Sequence, residues 1–416
     1  MLDLKLIREE TARVSTALLK RMSADDFNLE EIIELDNSRR VILQSMEEKK
    51  SERNRSSKEK PNEETIIKMK SLGEEIKIEE EKLNEIELIL KEKMSALPNL
   101  PANDVVAGGK ENNREIYTFS EKPKFDFTPK DHVELATELD LIDYPRAAKM
   151  SGAGFWIYKG AGAQLEWALL NYFTEHHNKR KYSFILPPYL LNESSAYASG
   201  HLPKFRDDLF WTEDKLCLNA TSEMMLNNYH RDEILPTEEL PLKYYAYSAC
   251  FRREAGSYRK EERGMIRGHQ FNKMEMFQFT KPEDSWTAFD ELVTSAKEMV
   301  EGLGLHFQIS QLAAGDCSAA MAKTVDLEVW IPSMEIYKEV SSVSNALDYQ
   351  ARRSNIRFKN NDGKNEFVHT LNGSGLATSR LFPAILEQFQ TAEGTVKVPT
   401  VLHKYLPEDL WELKKK

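Results

Sequence analysis

Along the first hundred residues the apolar positions recur with helical spacing. Met69, Ile76, Leu83, Leu90 and Leu97 stand seven apart, and Leu72 and Ile86 follow two of them by three, which is the a/d seam of a coiled coil. Upstream, Ile32, Leu35, Ile42 and Met46 keep the same spacing, while Arg39, Lys49 and Arg53 continue the stripe as charges. Pro61 and Asn62 break helical propensity between the two runs and leave enough chain for a tight reversal. The pattern predicts an antiparallel coiled-coil hairpin. Two helices of about 30 residues at 1.5 Å rise make an arm roughly 45 Å long.

The texture changes after this seam. Leu97-Pro-Asn-Leu-Pro-Ala-Asn and Gly108-Gly-Lys-Glu-Asn-Asn are rich in Pro and Gly without periodicity. They predict a linker between a helical domain over 1–100 and a second domain over 111–416. In the second domain, Gln164 to Glu175 has helical spacing, whereas 244–254, 269–280, 325–331 and 366–373 have the pattern of strands. The expected fold class is α+β, an N-terminal antiparallel coiled-coil hairpin followed by a mainly antiparallel β-sheet flanked by helices. Trp156, Trp167, Trp211, Trp286, Trp330 and Trp411 read as packing residues.

The 416 residues include 57 Lys plus Arg and 68 Asp plus Glu, so the net charge of −11 provides no global attraction to nucleic acid or an anionic membrane. Contact with a polyanion requires a local patch. Lys49, Lys50, Arg53, Arg55, Lys58 and Lys60 gather near the hairpin tip against Glu52 and Glu59 only. By composition this is either a solvated helix face or a phosphate-contacting surface. Cys217, Cys250 and Cys317 lie too far apart for a metal or redox pair and fit a reducing compartment. The opening MLDLKLIREE lacks a signal-peptide core, and no run of about 18 apolar residues occurs, so a cytoplasmic protein with no membrane partner is expected. The histidines form no zinc pattern, and His176 and His177, beside Asn-Lys-Arg-Lys, read as a solvated helix end.

Candidate chemistry concentrates in three segments. Over 251–275, strand-like runs flank a charged, Gly-containing loop. Alternation places Arg252 and Glu254 on one face of the first run and Phe271, Lys273 and Glu275 on one face of the second. Burying so many charges costs several kcal/mol per unpaired ion, so they pair with one another or with a charged ligand; a triphosphate with a stacking base suits them. Lys338-Glu-Val-Ser-Ser-Val-Ser-Asn sets a carboxylate beside hydroxyls, oxygen ligands of the kind Mg²⁺ accepts. Leu371-Asn-Gly-Ser-Gly-Leu-Ala-Thr-Ser-Arg passes through two glycines into a helix with Arg380 near its first turn, where it adds to a phosphate-binding helix N-terminus. Gly373 and Gly375 taken alone are more often a plain turn than a phosphate loop.

Jointly these segments resemble the motif set of class II aminoacyl-tRNA synthetases. Residues 251–275 resemble motif 2, Gly373 through Arg380 and the following helix resemble motif 3, and Gly160-Ala-Gly-Ala through Pro187-Pro188 resembles motif 1. The hairpin, Glu52-Arg-Asn, Leu97-Pro-Asn-Leu-Pro, Leu202-Pro-Lys-Phe, His230-Arg-Asp-Glu-Ile, Arg263-Gly through His269-Gln-Phe, Asp326-Leu-Glu-Val-Trp and Gln350-Ala-Arg-Arg make the whole chain similar to the seryl-tRNA synthetase family.

The resemblance implies a ligase that activates L-serine with ATP to seryl-adenylate and transfers serine to the 3′ end of serine tRNA, with Mg²⁺ and without zinc. It implies that Thr221, Ser222, Glu223, Glu275 and Ser374 hold serine together with Arg252, and that Arg252 and Arg380 are the catalytic cations on the phosphates. Phe271 is implied to stack on adenine, Glu254 to contact its amino group and Gly268 to approach the base. Arg253, Glu339, Val340, Ser341 and Ser342 complete the implied ATP site, Glu339 and Ser342 reaching Mg²⁺ through ATP. The family's coiled coil lies against the long variable arm of serine tRNA, which favours phosphate contact for Lys49, Lys50, Arg53, Arg55, Lys58 and Lys60. Motif 1 implies a homodimer, and bacterial relatives also charge selenocysteine tRNA. The sequence departs from the family at Ala220, where Pro is usual, at Val343, often Cys, in the loop from Ser257 to Glu262, and at Pro383 in the motif 3 helix. The alternative is a paralogue that adenylates an amino acid for a carrier protein or acts as a regulatory RNA-binding protein. The intact arm argues against the carrier version, and Arg252, Glu275, Glu339 and Arg380 argue against an inactive protein.

Overall fold

The computed structural model describes residues 1–57, 62–255 and 264–415, in two compact units, Met1–Leu100 and Pro101–Lys416. The first unit contains α1 (Leu4–Glu9), α2 (Thr11–Leu18), α3 (Leu29–Ser56) and α4 (Glu63–Ala96). Asn28 and Asn62 cap the two long helices, their side-chain oxygens accepting from the Glu31 and Thr65 amides, and Glu30, Glu31, Glu63 and Glu64 complement the dipoles in the first turns. The seam follows the heptads: Ile32 and Met46 of α3 and Leu72, Ile76 and Leu90 of α4 are buried. The charges that continue the stripe are paired across it. Arg39 meets Glu87 at 3.0 Å, and Lys49 meets Glu79 at 2.8 Å and Glu75 at 3.1 Å. Lys50 likewise meets Glu80 at 3.0 Å. Glu75, Glu79 and Glu80 of α4 thus face Lys49 and Lys50 of α3, a neutralisation that counting charges over 49–60 alone does not reveal. Lys58, Lys60 and Pro61 lie outside the described residues.

The second unit is built on an eight-stranded sheet of β1 (Arg114–Phe119), β2 (Ser183–Ile185), β3 (Leu242–Phe251), β4 (Gln270–Thr280), β5 (Phe307–Gln311), β6 (Lys323–Ile331), β7 (Ile336–Leu347) and β8 (His369–Ala377), in the order β1-β5-β6-β7-β8-β4-β3-β2. Every pairing is antiparallel except β2 with β3. Helices α5 (Ala161–Lys179), α6 (Ser285–Gly302) and α7 (Thr378–Gln388) share one core with the sheet: Leu169 and Phe173, Leu292 and Met299, and Leu381 and Ile385 join Met276, Leu327, Val343 and Leu371. Their apolar residues repeat at three and four along each helix, so one face of each is removed from water.

Several expectations shift. The strand expected over 244–254 ends at Phe251, because the amides of Arg252, Arg253 and Ala255 turn to His269 O, Asp208 O and the Asp208 carboxylate instead of a neighbouring strand. Arg252 and Glu254 therefore do not share a strand face; Glu254 has φ 52. The run over 366–373 divides, with Asn365–Phe367 in a separate three-stranded sheet and β8 beginning at His369. Residues 101–110, expected as linker, fold with the second unit: Val105 is buried and the Ala102 amide donates to Ala322 O. Trp167, Trp286 and Trp411 are exposed, Trp167 to 59%, so they are not core residues. Pro383 is buried inside α7, which continues through it. The loop from Ser257 to Glu262 lies outside the described residues.

Phe277 of β4 is fully buried. Replacing it with Ala should cost about 3–5 kcal/mol, read as a lower urea midpoint for the second unit, whereas Ile66→Ala on the exposed face of α4 should stay within about 0.5 kcal/mol.

Candidate active site

An open pocket lies where β4, β7 and β8 meet the start of α7. Phe271 and Lys273 reach it from β4, Glu339 and Val340 from β7, Ser374 and Ala377 from β8, and Ser379 and Arg380 from α7. Arg252, Glu254, Ile266, Arg267 and Gly268 supply the remaining wall. Two strand irregularities aim these groups. On β8 three steps from Ser374 to Ala377 oppose two steps of β4, from Glu275 to Lys273. The extra residue releases the chain from the ladder and turns it into α7, which brings Arg380 to the pocket. On β7 the register slips between Glu339, opposite Glu328, and Ser341, opposite Leu327. Directly opposed residues share a face, so Glu339 and Ser342, three apart, both stand with Glu328 and Asp326.

Four cations surround the pocket. The Arg252 guanidinium lies 5.2 Å from the Phe271 ring centroid and its Nε donates to Ala220 O at 3.3 Å. Arg267 pairs with Glu254 at 2.5 Å. Arg380 donates to the carbonyls of Glu339 at 2.7 Å and Ile266 at 3.2 Å, with the Glu339 carboxylate at 3.5 Å. A Cβ on Gly268 would fall 2.1 Å from the Trp156 ring, so only glycine lets the backbone pass between that indole and the pocket. Asp326 is nine-tenths buried and its Oδ1 has no hydrogen-bond partner among the described residues. Burial, then the Glu339 charge, holds its carboxyl well above the usual carboxylate range, against a hydrogen bond with Ser342.

Lys273 links the pocket to a buried polar cluster. Its Nζ lies 2.5 Å from Glu275 Oε2 and donates to Thr221 Oγ1 at 2.9 Å. Asn372 Nδ2 donates to Glu275 Oε1 at 3.2 Å. Glu223, on the helix Glu223–Asn228, accepts from Gln350 Nε2 at 2.6 Å, and Gln350 accepts in turn from Thr370. Burial, then the negative charge of Glu275, pushes the Glu223 carboxyl up to about 7, against Lys273, Gln350 and Arg252. The arrangement presents arginines and an aromatic ring for a phosphate-bearing ring compound, continuous with carboxylates and a hydroxyl that suit an ammonium and an alcohol.

Two family descriptions match this chain: "Seryl-tRNA synthetase N-terminal domain" over residues 1–101 and "tRNA synthetase class II core domain (G, H, P, S and T)" over 205–389. A serine–tRNA ligase 2 of Clostridium acetobutylicum is 53% identical over 431 aligned positions, covering 98% of this chain and 100% of the relative. A serine–tRNA ligase of Petrotoga mobilis is 46% identical, covering 98% and 99%. The chain belongs to the seryl-tRNA synthetase family. Among solved structures, the seryl-tRNA synthetase of Pyrococcus horikoshii complexed with ATP superposes with a TM-score of 0.92 at 32% identity, covering 100% of both chains.

Against the family's implied site, Arg252, Glu254, Gly268, Phe271, Glu339, Val340, Ser374 and Arg380 converge on the pocket, and Thr221, Glu223 and Glu275 form the adjoining cluster. Four residues stand off the lining. Arg253 is exposed and donates to Asp207 O, Ser222 is bound to Ser248, Ser341 is buried against Ser374 O, and Ser342 faces Asp326. Lys273, Arg267, Asp326, Asn372 and Gln350 were not assigned from the sequence. The two-residue step from Phe271 to Lys273 to Glu275 marked Lys273; the others are brought in by pairing across the fold. His176 and His177 are not a solvated helix end. His177 is fully buried under β8, its Nε2 3.2 Å from Gly375 O and its imidazole pushed down to about 3 by burial.

Removing one partner of a buried ion pair leaves an uncompensated charge, whereas removing both does not. Lys273→Met should therefore destabilise the protein by about 3 kcal/mol or more, and adding Glu275→Leu should recover most of the lost urea midpoint.

Proposed function

We propose that the chain is an ATP-dependent serine–tRNA ligase whose pocket at Arg252, Phe271 and Arg380 holds ATP and whose Thr221, Glu223, Glu275 and Ser374 hold L-serine. The observation that carries the site reading is the continuity of the two halves through Lys273 and Ser374: phosphate-binding chemistry on one side, ammonium- and hydroxyl-binding chemistry on the other.

Serine's carboxylate is already an anion at neutral pH, so no general base is needed for the first step. A carboxylate oxygen attacks the α-phosphorus, the bond to the bridging oxygen breaks in line, and pyrophosphate leaves. Arg252 joins the carboxylate to the α-phosphate and Arg380 lies on the phosphate chain, so positioning and charge neutralisation lower the barrier. The terminal ribose 3′-OH of serine tRNA then attacks the seryl carbonyl and AMP leaves. A site that hydrogen-bonds the serine hydroxyl rejects alanine by leaving its own buried polar groups unpaired.

Glu339 and Ser342 fit Mg²⁺ as oxygen donors on one strand face, with the unpaired Asp326 Oδ1 beside them. Among the described residues no three His, Cys, Asp or Glu side chains gather to hold a metal by themselves. That donor set suits a cation that takes its other ligands from phosphate and water. The ion would supply further neutralisation of the phosphates.

On the arm, Lys49 and Lys50 are engaged with acids of α4, so phosphate contact with the long variable arm falls first to Arg53 and Arg55, Arg55 being exposed. Exposed Trp167, Phe184 and Leu186 around motif 1 support a homodimer. The described residues contain no helix long and apolar enough to cross a membrane, and a cytoplasmic location suits a partner that is a tRNA.

Pyrophosphate exchange should respond to serine and not to threonine, alanine or glycine, and a long-variable-arm tRNA should be charged with serine. Exchange without charging would overturn the tRNA reading, and no exchange would overturn the adenylation reading. A second test uses the Glu223 carboxyl, raised to about 7. An ammonium ligand favours the anion, so below pH 7 serine binding must expel a proton. The KM for serine should rise by up to about tenfold per pH unit as pH falls below 7 and level off above it. Glu223→Gln should raise that KM and flatten the profile.

A further inference from the structure

Glu166 is a buried carboxylate that the reaction does not use. It lies on α5, 3% exposed, and no lysine or arginine is hydrogen bonded to it or ion-paired with it among the described residues. Its Oε1 accepts from Asn272 Nδ2 at 2.7 Å and from Thr378 Oγ1 at 2.5 Å, and Thr378 Oγ1 also reaches Asn272 O at 3.2 Å. Asn272 stands on β4 between Phe271 and Lys273, and Thr378 is the first residue of α7, two before Arg380. One carboxylate oxygen therefore ties together the two elements that carry the ring-stacking and phosphate-binding groups. Its Oε2 is buried without a hydrogen-bond partner, as is the Tyr158 hydroxyl of the short strand Ile157–Tyr158. An isolated buried carboxylate is costly, and a hydrophobic residue of similar size would stabilise the fold more.

We propose that Glu166 is a positioning residue for adenylation, holding β4 and the start of α7 at the spacing that lets Phe271, Lys273 and Arg380 engage ATP together. The inference rests on the reading of this pocket as the ATP site. The anion accepts both donors more strongly than the neutral acid does. Burial pushes the Glu166 carboxyl up to about 7, against the hydrogen bonds from Thr378 and Asn272 and the nearby Tyr158 hydroxyl. The titratable groups facing it are Tyr158 and Tyr247, whose hydroxyl donates to Asn272 Oδ1 at 2.9 Å. Burial holds the first well above the usual range and pushes the second to about 12, so neither changes charge near neutrality.

The sign of the stability effect is opposite to that of the functional one. A carboxyl raised in the folded state stabilises least above pH 7, where it is a buried anion. Glu166→Gln should therefore keep or raise the melting temperature at pH 8. In pyrophosphate exchange at that pH it should raise the KM for ATP roughly tenfold, with the KM for serine within about twofold. The wild-type KM for ATP should rise relative to the variant's as pH falls from about 8 to 6. Thr378→Val, which removes one donor at nearly constant volume, should show the same selective loss. Arg380→Ala is the control: if it leaves the KM for ATP unchanged, the site reading fails and this inference with it. If Arg380→Ala raises that KM while Glu166→Gln and Thr378→Val do not, Glu166 has no positioning role. A lowered melting temperature with equal loss for both substrates would likewise reduce it to packing.

Discussion

The Lys273 ammonium and the Glu275 carboxylate, 2.5 Å apart inside the sheet, are the constraint around which the site is organised. Neither tolerates isolation from water, so the fold must supply further hydrogen bonds, and Thr221 on one side and Asn372 on the other provide them. Those partners come from the segment before the helix Glu223–Asn228 and from β8. Satisfying one pair of charges thereby brings together three stretches of chain that are distant in sequence.

The same logic accounts for the irregular strands. An unbroken β7 would send Glu339 and Ser342 to opposite faces, and an unbroken β8 would continue past the turn that begins α7. Each bulge spends ladder hydrogen bonds to re-aim a functional group. Both irregularities border the pocket, where strand regularity gives way to the placement of Glu339, Ser374 and Arg380.

Buried carboxylates recur around this centre, and their burial has a common electrostatic consequence. Glu166 and Glu223 are each pushed to about 7 by loss of water, Glu223 further by its acidic neighbour. Both would be easier to fold as neutral residues. Their retention is understandable under the proposed roles, in which the anion orients donors at Glu166 and receives an ammonium at Glu223. The arm shows the complementary case. Lys49 and Lys50, conspicuous as a basic group, are matched by Glu75, Glu79 and Glu80 across the hairpin, so the local run of charge overstates what faces the solvent.

The sequence by itself determined what local periodicity and residue chemistry encode. The heptads of the arm, the helix around Gln164 to Glu175 and the shared face of Phe271, Lys273 and Glu275 are all legible, because repeats of seven, three to four and two residues are properties of neighbouring positions. The motif set likewise singled out Arg252, Glu339 and Arg380, which line the pocket, and Glu275, which lies in the adjoining cluster. Tertiary structure alone decided how strands registered and what each charge met. No spacing in the chain announces that Gln350 supports Glu223, that His177 lies beneath Gly375, that Glu254 leaves its strand at positive φ, or that Glu166 joins Asn272 to Thr378. Those outcomes depend on which distant backbone groups and side chains satisfy one another once water is excluded, a condition that no single segment carries.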